Sequence, residues 1–442
     1  MKKIIEAVDK HRTLILEAER HIWKNPETGY KEFKTTAYLA DKFRSLGYDL
    51  TMADGITGFY TRIDTGVPGP EVLILGELDS VICPEHPESD PETGAVHSCG
   101  HNAQCATLLG IAAALKEPGI LGGLSGAIRL CCVPAEEMLE IEYRTELKKK
   151  SIIRYLGGKS EFLYRGYFDG VDIAFMVHMG RTFSVNAGSV GFNVKNTIYK
   201  GKAAHAGGSP WNGVNALYAA NLGLSAVNAL RETFPDTDLI RYHPIITSGG
   251  SMVNAIPAEV KIESYVRGRT AEAIKSTSDR IDRALIGAAY AIGANVEIID
   301  MPGYQPLYND PGMIETIRLA AALIAPELEF TVNDVYSTGS TDMGDLSCIM
   351  PVVHPYVPGT SGSSHGCDYQ ITDPTLACVM NAKWQLATLN LLLSDGAKRA
   401  RKIIESYKPV FSSKEEFLAY QDSINSSGDR IEYLKDGGVK IR

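Results

Sequence analysis

A hydrophobic run, Val72-Leu73-Ile74-Leu75, ends in Gly76-Glu77-Leu78-Asp79. Further on come Val96-His97-Ser98-Cys99-Gly100-His101-Asn102-Ala103-Gln104-Cys105 and an apolar pattern of helical period from Ala106 to Leu115. Buried strand, loop and helix in that order are the repeating unit of an open α/β sheet, whose ligand sites lie beyond the carboxyl ends of the strands. This spacing places Cys99 and His101 in the loop, where chemistry belongs. Gly100 between them removes a side chain that would crowd them. A thiolate and an imidazole aimed at one centre suit a borderline-soft ion such as zinc. Taken alone, the pair also fits a buried thiol acting as a small hydrophobe beside a solvated loop histidine.

The rest of the chain repeats the theme. At 442 residues it is long enough for two or three domains. Helices are expected over residues 3–24 and 32–46, and strands over 58–63 and 72–75. The buried run Ala127 to Val133 ends in Pro134-Ala135-Glu136-Glu137, and Asp172 to Val177 ends in His178. Between them, residues 140–150 alternate in charge like a solvated helix. Such alternation predicts an α/β domain with a mostly parallel sheet and helices on both faces. The character changes near Ser189. Strand patterns at 192–199, 245–247, 260–266 and 296–299 and helical ones at 213–230 and 271–292 follow the order of a ferredoxin-like α+β sandwich. From Tyr304 the first pattern resumes, with helices over 311–325 and 376–393. The expected domains are 1–188 with 304–442, and an insert over 189–303.

A net charge of −9 argues against general affinity for nucleic acid or an anionic membrane. No apolar run is long enough to span a bilayer, and the N-terminus lacks the apolar core of a signal peptide, which makes the cytoplasm the default location. The eight cysteines contain no C-x-x-C, against a disulfide framework or a zinc knuckle.

Cys99, His101, Glu137, His178 and His365 all follow strands or sit in Gly-rich loops, and together they could hold two metal ions. Each has a plainer reading: His178 as a satisfied core histidine, His365 as a solvated one, Glu136-Glu137 as acids at a helix N-terminus. Their coincidence at strand ends favours metal. A Glu pair also meets a need, one carboxylate binding metal while its neighbour acts as general base for water.

Pro134-Ala135-Glu136-Glu137, the stretch His97 to Asn102 and His365 resemble the dinuclear-metal amidohydrolase family of aminoacylases, carboxypeptidases and aminobenzoyl-glutamate hydrolases. So do Gly201 to Ala206, Asn254 within 253–260, and Arg267 within 265–268. Residues 339–345 resemble the branch that holds the second of the two aminobenzoyl-glutamate hydrolase subunits together with the β-alanyl dipeptidases. The resemblance implies a zinc-peptidase-like catalytic domain with an inserted lid and dimerisation domain. Cys99 would bridge two divalent ions, zinc by donor chemistry, with manganese and cobalt open. Glu137 and His365 would complete one shell, His101 and His178 the other. Glu136 would be the general base and acid, and Asp79 matches the acid that orients the first metal-binding histidine in other branches. Glu77 stands where other branches carry histidine. His205, Asn254 and Arg267 would hold a substrate with a free carboxylate, in a homodimer whose lid histidine reaches the partner's site. The implied reaction is hydrolysis of an amide bond in an N-acyl amino acid, an aminobenzoyl-glutamate-like compound or a dipeptide. Two alternatives stand beside it: a cysteine amidase with Cys99 as nucleophile and His101 as base, and a relative that binds a ligand without catalysis.

Overall fold

The computed structural model describes residues 1–442, and the chain divides into two compact units. The first comprises Met1–Gly188, Leu307–Tyr336 and Asp342–Lys414; the second Ser189–Pro306, Ser337–Thr341 and Glu415–Arg442.

The first unit is built on a six-stranded sheet. In chain order its strands are β1 (Thr51–Met52), β2 (Phe59–Asp64), β3 (Glu71–Glu77), β4 (Ala127–Val133), β5 (Ile173–Phe175) and a short strand Val352–Val353. They lie in the order β1-β2-β4-β3-β5 with Val352–Val353 at the edge. β3 runs parallel to β4 and β5, and Val352–Val353 runs parallel to β5. β2 is antiparallel to β4 and to β1. Every residue of β3 and β4 is buried, as central strands covered on both faces require. Their carboxyl ends share one edge, with Glu77 paired to Val133.

Seven of this unit's helices matter to the site and its support. α1 (Lys2–Lys10) and α2 (Arg12–Trp23) form where a single helix over 3–24 is expected. The chain turns at His11, whose Nε2 lies 3.0 Å from Glu117, and the turn lets both helices keep apolar faces on the core. α3 is Phe33–Ser45 and α4 is His101–Leu115, the latter buried at all fifteen positions. A helix apolar all round belongs at the centre of a layered fold. α4 starts five residues earlier than its apolar pattern, so His101 stands on a helical first turn rather than in the loop. Its N-cap, Gly100, has φ +88°, and a Cβ there would meet Tyr369 Oη and Met179. α5 (Ile141–Lys149) and α6 (Gly158–Tyr164) follow β4. The last is Asn381–Ser406, broken at Ser394–Ala397.

The second unit contains β6 (Gly191–Lys200), α7 (Ala216–Asn228), β7 (Arg241–Ser248), β8 (Glu259–Gly268), α8 (Ala271–Ala291) and β9 (Asn295–Pro302). The strands lie in the order β7-β8-β6-β9, all antiparallel, which is the ferredoxin-like arrangement. Tyr199, Ile262, Ile281 and Leu285 are among the residues of its core. Three stretches differ from expectation: residues 304–306, 337–341 and 415–442 fall in this unit. Residues 415–442, read as part of the first domain, belong here because strand Ser426–Asp429 extends the sheet alongside β9. The other edge, β7, has no strand beyond it in the sheet order and exposes Ile245 and Ile246.

Candidate metal centre

The carboxyl ends of β3, β4 and β5 deliver the site. Cys99 Sγ is 3.4 Å from His178 Nε2 and 3.3 Å from His365 Nε2. His365 Nε2 is in turn 2.9 Å from Glu137 Oε1. Two sets of donor atoms each gather within 4.8 Å: Cys99, His101 and His178, and Cys99, Glu137 and His365. The thiol sulfur is common to both. All five residues expected at the metals therefore converge, from the loop before α4, α4 itself, the loop after β4, the strand residue beyond β5, and the Gly/Ser loop.

Local folding aims each donor. His101 Nδ1 donates to the Asp79 carbonyl at 2.9 Å, and His178 Nδ1 donates to the Met179 carbonyl at 2.8 Å. Both rings thus turn Nε2 toward the thiol. His365 has φ +62°, and its backbone N–H donates to the Ser98 carbonyl at 2.8 Å, which ties its loop to the cysteine's own. Glu137 is held from two sides. Its N–H donates to Asp79 Oδ2 at 2.8 Å, and its carbonyl accepts from the Arg144 guanidinium. Arg144 also donates to the carbonyls of Leu156 at 2.8 Å and Ala135 at 3.3 Å. Ala135, at φ +57°, makes the sharp turn before the Glu pair. Segment 140–150 is thus a helix whose Arg144 is fully buried, not a wholly solvated one.

Charge in the site is lopsided. Burial opposes ionisation of Cys99, but His178 and His101 outweigh it and hold the thiol well below its ordinary range, as a thiolate. Burial and that thiolate push Glu137 up to about 7. Burial, then the charges of Glu77, Glu137 and Asp342, hold Glu136 well above the carboxylate range. Glu77 is buried too, yet the Lys159 ammonium and the nearby imidazoles hold it ionised, at about 2. Lys159 Nζ binds Glu77 Oε1 at 2.5 Å and also binds Asp342. His101 Nε2 is buried 3.1 Å from Glu77 Oε2, and Glu137 Oε1 is buried against His365 Nε2. Carboxylate oxygen, thiol sulfur and imidazole nitrogens converging on one place form a donor set that fits divalent cations.

Of the remaining expected residues, Glu136 Oε2 lies 3.9 Å from His101 Nε2, beside the metal donors. His205, Asn254 and Arg267 lie in the second unit. The N–H of Ala206 donates to the Asn254 carbonyl at 2.9 Å, which joins the loops of His205 and Asn254. Arg267 is not beside them. It pairs across β6 with Phe192, whereas Gly201, leading to His205, bonds Ala258 at the other end of β8. Eight residues, 259–266, separate the two ends, roughly 30 Å. Arg267 instead donates to Ser340 Oγ at 2.7 Å and sits over the Phe192 ring.

Pattern reading assigned no role to Lys159, Asp342 or Arg144. Each is a charged residue buried by partners more than seven residues away or by backbone carbonyls, and no local period marks such a position.

Residues 73–382 match Peptidase family M20/M25/M40. The Xaa-Arg dipeptidase of Mus musculus is 27% identical over 387 residues, covering 83% of this chain and 82% of its own. The indole-3-acetyl-aspartic acid hydrolase of Enterobacter agglomerans is 26% identical over 374 residues, 72% of this chain and 80% of its own. In fold, the chain is similar to a dinuclear metal-binding M20 peptidase from Bacillus subtilis, at TM-score 0.66 and 19% identity over 87% of this chain and 99% of that one. With the match running through the sheet, the inserted unit and the His365 loop, the chain belongs to the M20/M25/M40 peptidase family and is a metallohydrolase of amide bonds.

Proposed function

We propose that the chain hydrolyses the amide bond of an N-acyl amino acid, an aminobenzoyl-glutamate-like compound or a dipeptide, each ending in a free carboxylate. Cys99, His101, Glu137, His178 and His365 would hold two divalent ions, with Cys99 the donor common to both groups. The observation that carries this is the placement of Cys99 Sγ nearly equidistant from His178 Nε2 and His365 Nε2, at 3.4 and 3.3 Å. A nucleophilic thiol needs one base; two imidazoles from separate elements at equal range match a bridge. The cysteine and histidine donors favour zinc, and manganese or cobalt remain the other candidates.

Bound there, the ions supply Lewis acidity to the scissile carbonyl and to the attacking water. Glu136 takes the water's proton and returns it to the leaving nitrogen. Asp79 keeps Glu137 and His101 in place. Arg267 grips the substrate's carboxylate, for which a planar guanidinium gives a two-point contact. His205 accepts at Nδ1 from the N–H groups of Gly207 at 3.2 Å and Gly208 at 2.9 Å. Its proton therefore sits on Nε2, in an exposed ring suited to donating to a carbonyl oxygen. Asn254, on the adjoining loop, supports it there.

The separation of His205 from Arg267 supports a homodimer. The two cannot grip one small substrate from the same lid, but can if His205 comes from the partner subunit. The open edge of β7 with Ile245 and Ile246, and the exposed Tyr218 and Leu222 of α7, suit pairing between lids. The names of the two relatives above, a dipeptidase and an acyl-aspartate hydrolase, support the substrate class.

Dialysis against a chelator tests the metal reading. Activity on a panel of acyl amino acids, aminobenzoyl-glutamate and β-alanyl dipeptides is expected to vanish and to return with metal. Activity that survives chelation but dies on thiol alkylation favours a Cys99 nucleophile, and a metal-loaded chain inert on the whole panel favours a ligand-binding relative. Mixing His205→Ala and Glu136→Gln chains tests the shared site: activity reappears in mixed dimers if His205 acts in trans, and no recovery in mixed dimers sinks that reading.

A further inference from the structure

We infer that Glu77 is a sixth protein ligand, bound to the ion held by His101 and His178; this rests on the two-ion reading above. Glu77 is the last residue of β3, and its side chain is 1% exposed. Its Oε2 lies 3.1 Å from His101 Nε2. Glu77, His101 and Glu136 form a third cluster of donor atoms, gathered within 4.8 Å.

Spacing supports this first. Nitrogen and oxygen donors about 2.0–2.2 Å from one ion, at angles between square and tetrahedral, lie about 3.0–3.5 Å apart. The contacts among the five expected ligands run from 2.9 to 3.4 Å. The contact from Glu77 to His101 falls in the same interval.

Burial and orientation support it next. His101 Nδ1 donates to the Asp79 carbonyl, which turns Nε2 toward Glu77 Oε2. Glu77 Oε2 accepts from Gln104 Nε2 at 2.9 Å and faces His101 Nε2 at 3.1 Å, with both side chains closed to water. A cation between them would take one donor from each.

Orientation adds to both. Lys159 fixes Oε1 at 2.5 Å, and the Glu77 N–H donates to Gln104 Oε1 at 3.2 Å. With Oε1 turned to the lysine, Oε2 is left for the metal site. Lys159 also binds Asp342, so one ammonium faces two carboxylates. The surplus negative charge sits beside His101, where an ion would balance it. Glu77 thereby occupies, as an oxygen donor, a position that a purely structural partner of Lys159 has no reason to face.

Titration of the metal-free protein with cobalt(II) tests this. Wild type taking up two cobalt ions per chain is the result expected from the two-ion reading; fewer than two overturns that reading and the inference with it. In Glu77→Gln, one of the two ions is expected to bind at least ~10-fold more weakly, with changed position and intensity of its d–d bands, because a donor has left its shell. Asp79 Oδ1 also lies 3.3 Å from His101 Nδ1, so Asp79→Asn is the control that loosens His101 without removing a ligand. If wild type holds two ions and Glu77→Gln matches it in affinity and spectrum, Glu77 is not a ligand. Weaker binding with only the spectral change of Asp79→Asn also overturns the proposal, since Glu77 would then act through His101. Should Glu77→Gln fail to fold around the unpaired Lys159, Glu77→Gln with Lys159→Met removes that charge and is read in the same way.

Discussion

The backbone N–H of Glu137 donates to Oδ2 of Asp79 at 2.8 Å, while the Asp79 carbonyl accepts from His101. One residue beyond β3 thus positions a ligand of each proposed ion. Asp79→Ala is expected to weaken metal binding by about 10–100-fold, measured by competition with a chromogenic chelator. Activity at saturating metal should recover further than affinity does. Unchanged affinity would show that Arg144 and the loop backbone hold Glu137 without help from Asp79.

Glu136→Gln keeps the shape of the side chain and removes the base. kcat is expected to fall by roughly 10²–10⁴, with metal content unchanged. Burial and the charges of Glu77, Glu137 and Asp342 make Glu136 hard to ionise. Since a base must be deprotonated, kcat/KM should fall as pH drops into the range where Glu136 takes up a proton. Full turnover in the variant would remove Glu136 from the mechanism.

Glu32 is fully buried, accepting from the Ala135 N–H at 2.8 Å and binding Thr57 Oγ1 at 2.5 Å. Burial, then the charge of Asp79, raise it from 4.5 to about 8. The folded chain therefore binds this proton more tightly than the unfolded one. Its stabilising contribution is complete below about pH 4.5 and is lost as pH rises through about 8. Glu32→Gln mimics the protonated form, so metal-free protein should become more stable than wild type at pH 8, by on the order of a few kcal/mol, with little gain at pH 4.5. Urea unfolding at the two pH values measures this, and equal stability changes at both would refute it.

Arg144 satisfies the carbonyls of Ala135, Glu137 and Leu156 from a fully buried position. Arg144→Met leaves them without that donor, at roughly 1–3 kcal/mol for each group left unsatisfied. The expected signature is a lowered Tm together with a loss in kcat larger than any change in KM, because the backbone of Glu136 and Glu137 loosens. A variant with wild-type Tm and kcat would show that the turn at Ala135 holds itself.

Much of this protein was legible in its sequence because the signals are local. The apolar period of 72–75 and 127–133 marks central strands, and a βαββαβ order marks the inserted unit, whose antiparallel sheet appears as expected. The residues that converge at the candidate site were readable because thiol, imidazole and carboxylate at strand ends have few other uses. What the sequence could not determine depends on distance along the chain. His101 begins a helix because Gly100 takes a positive φ that propensity does not report. The C-terminal strand Ser426–Asp429 joins the second sheet through backbone pairing that any residues can make. Arg267 and His205, close in motif, are parted by the length of β8. Lys159 illustrates the same limit: an ammonium is buried only when carboxylates such as Glu77 and Asp342 surround it. Those partners lie 82 and 183 residues away, so only the folded chain brings them together.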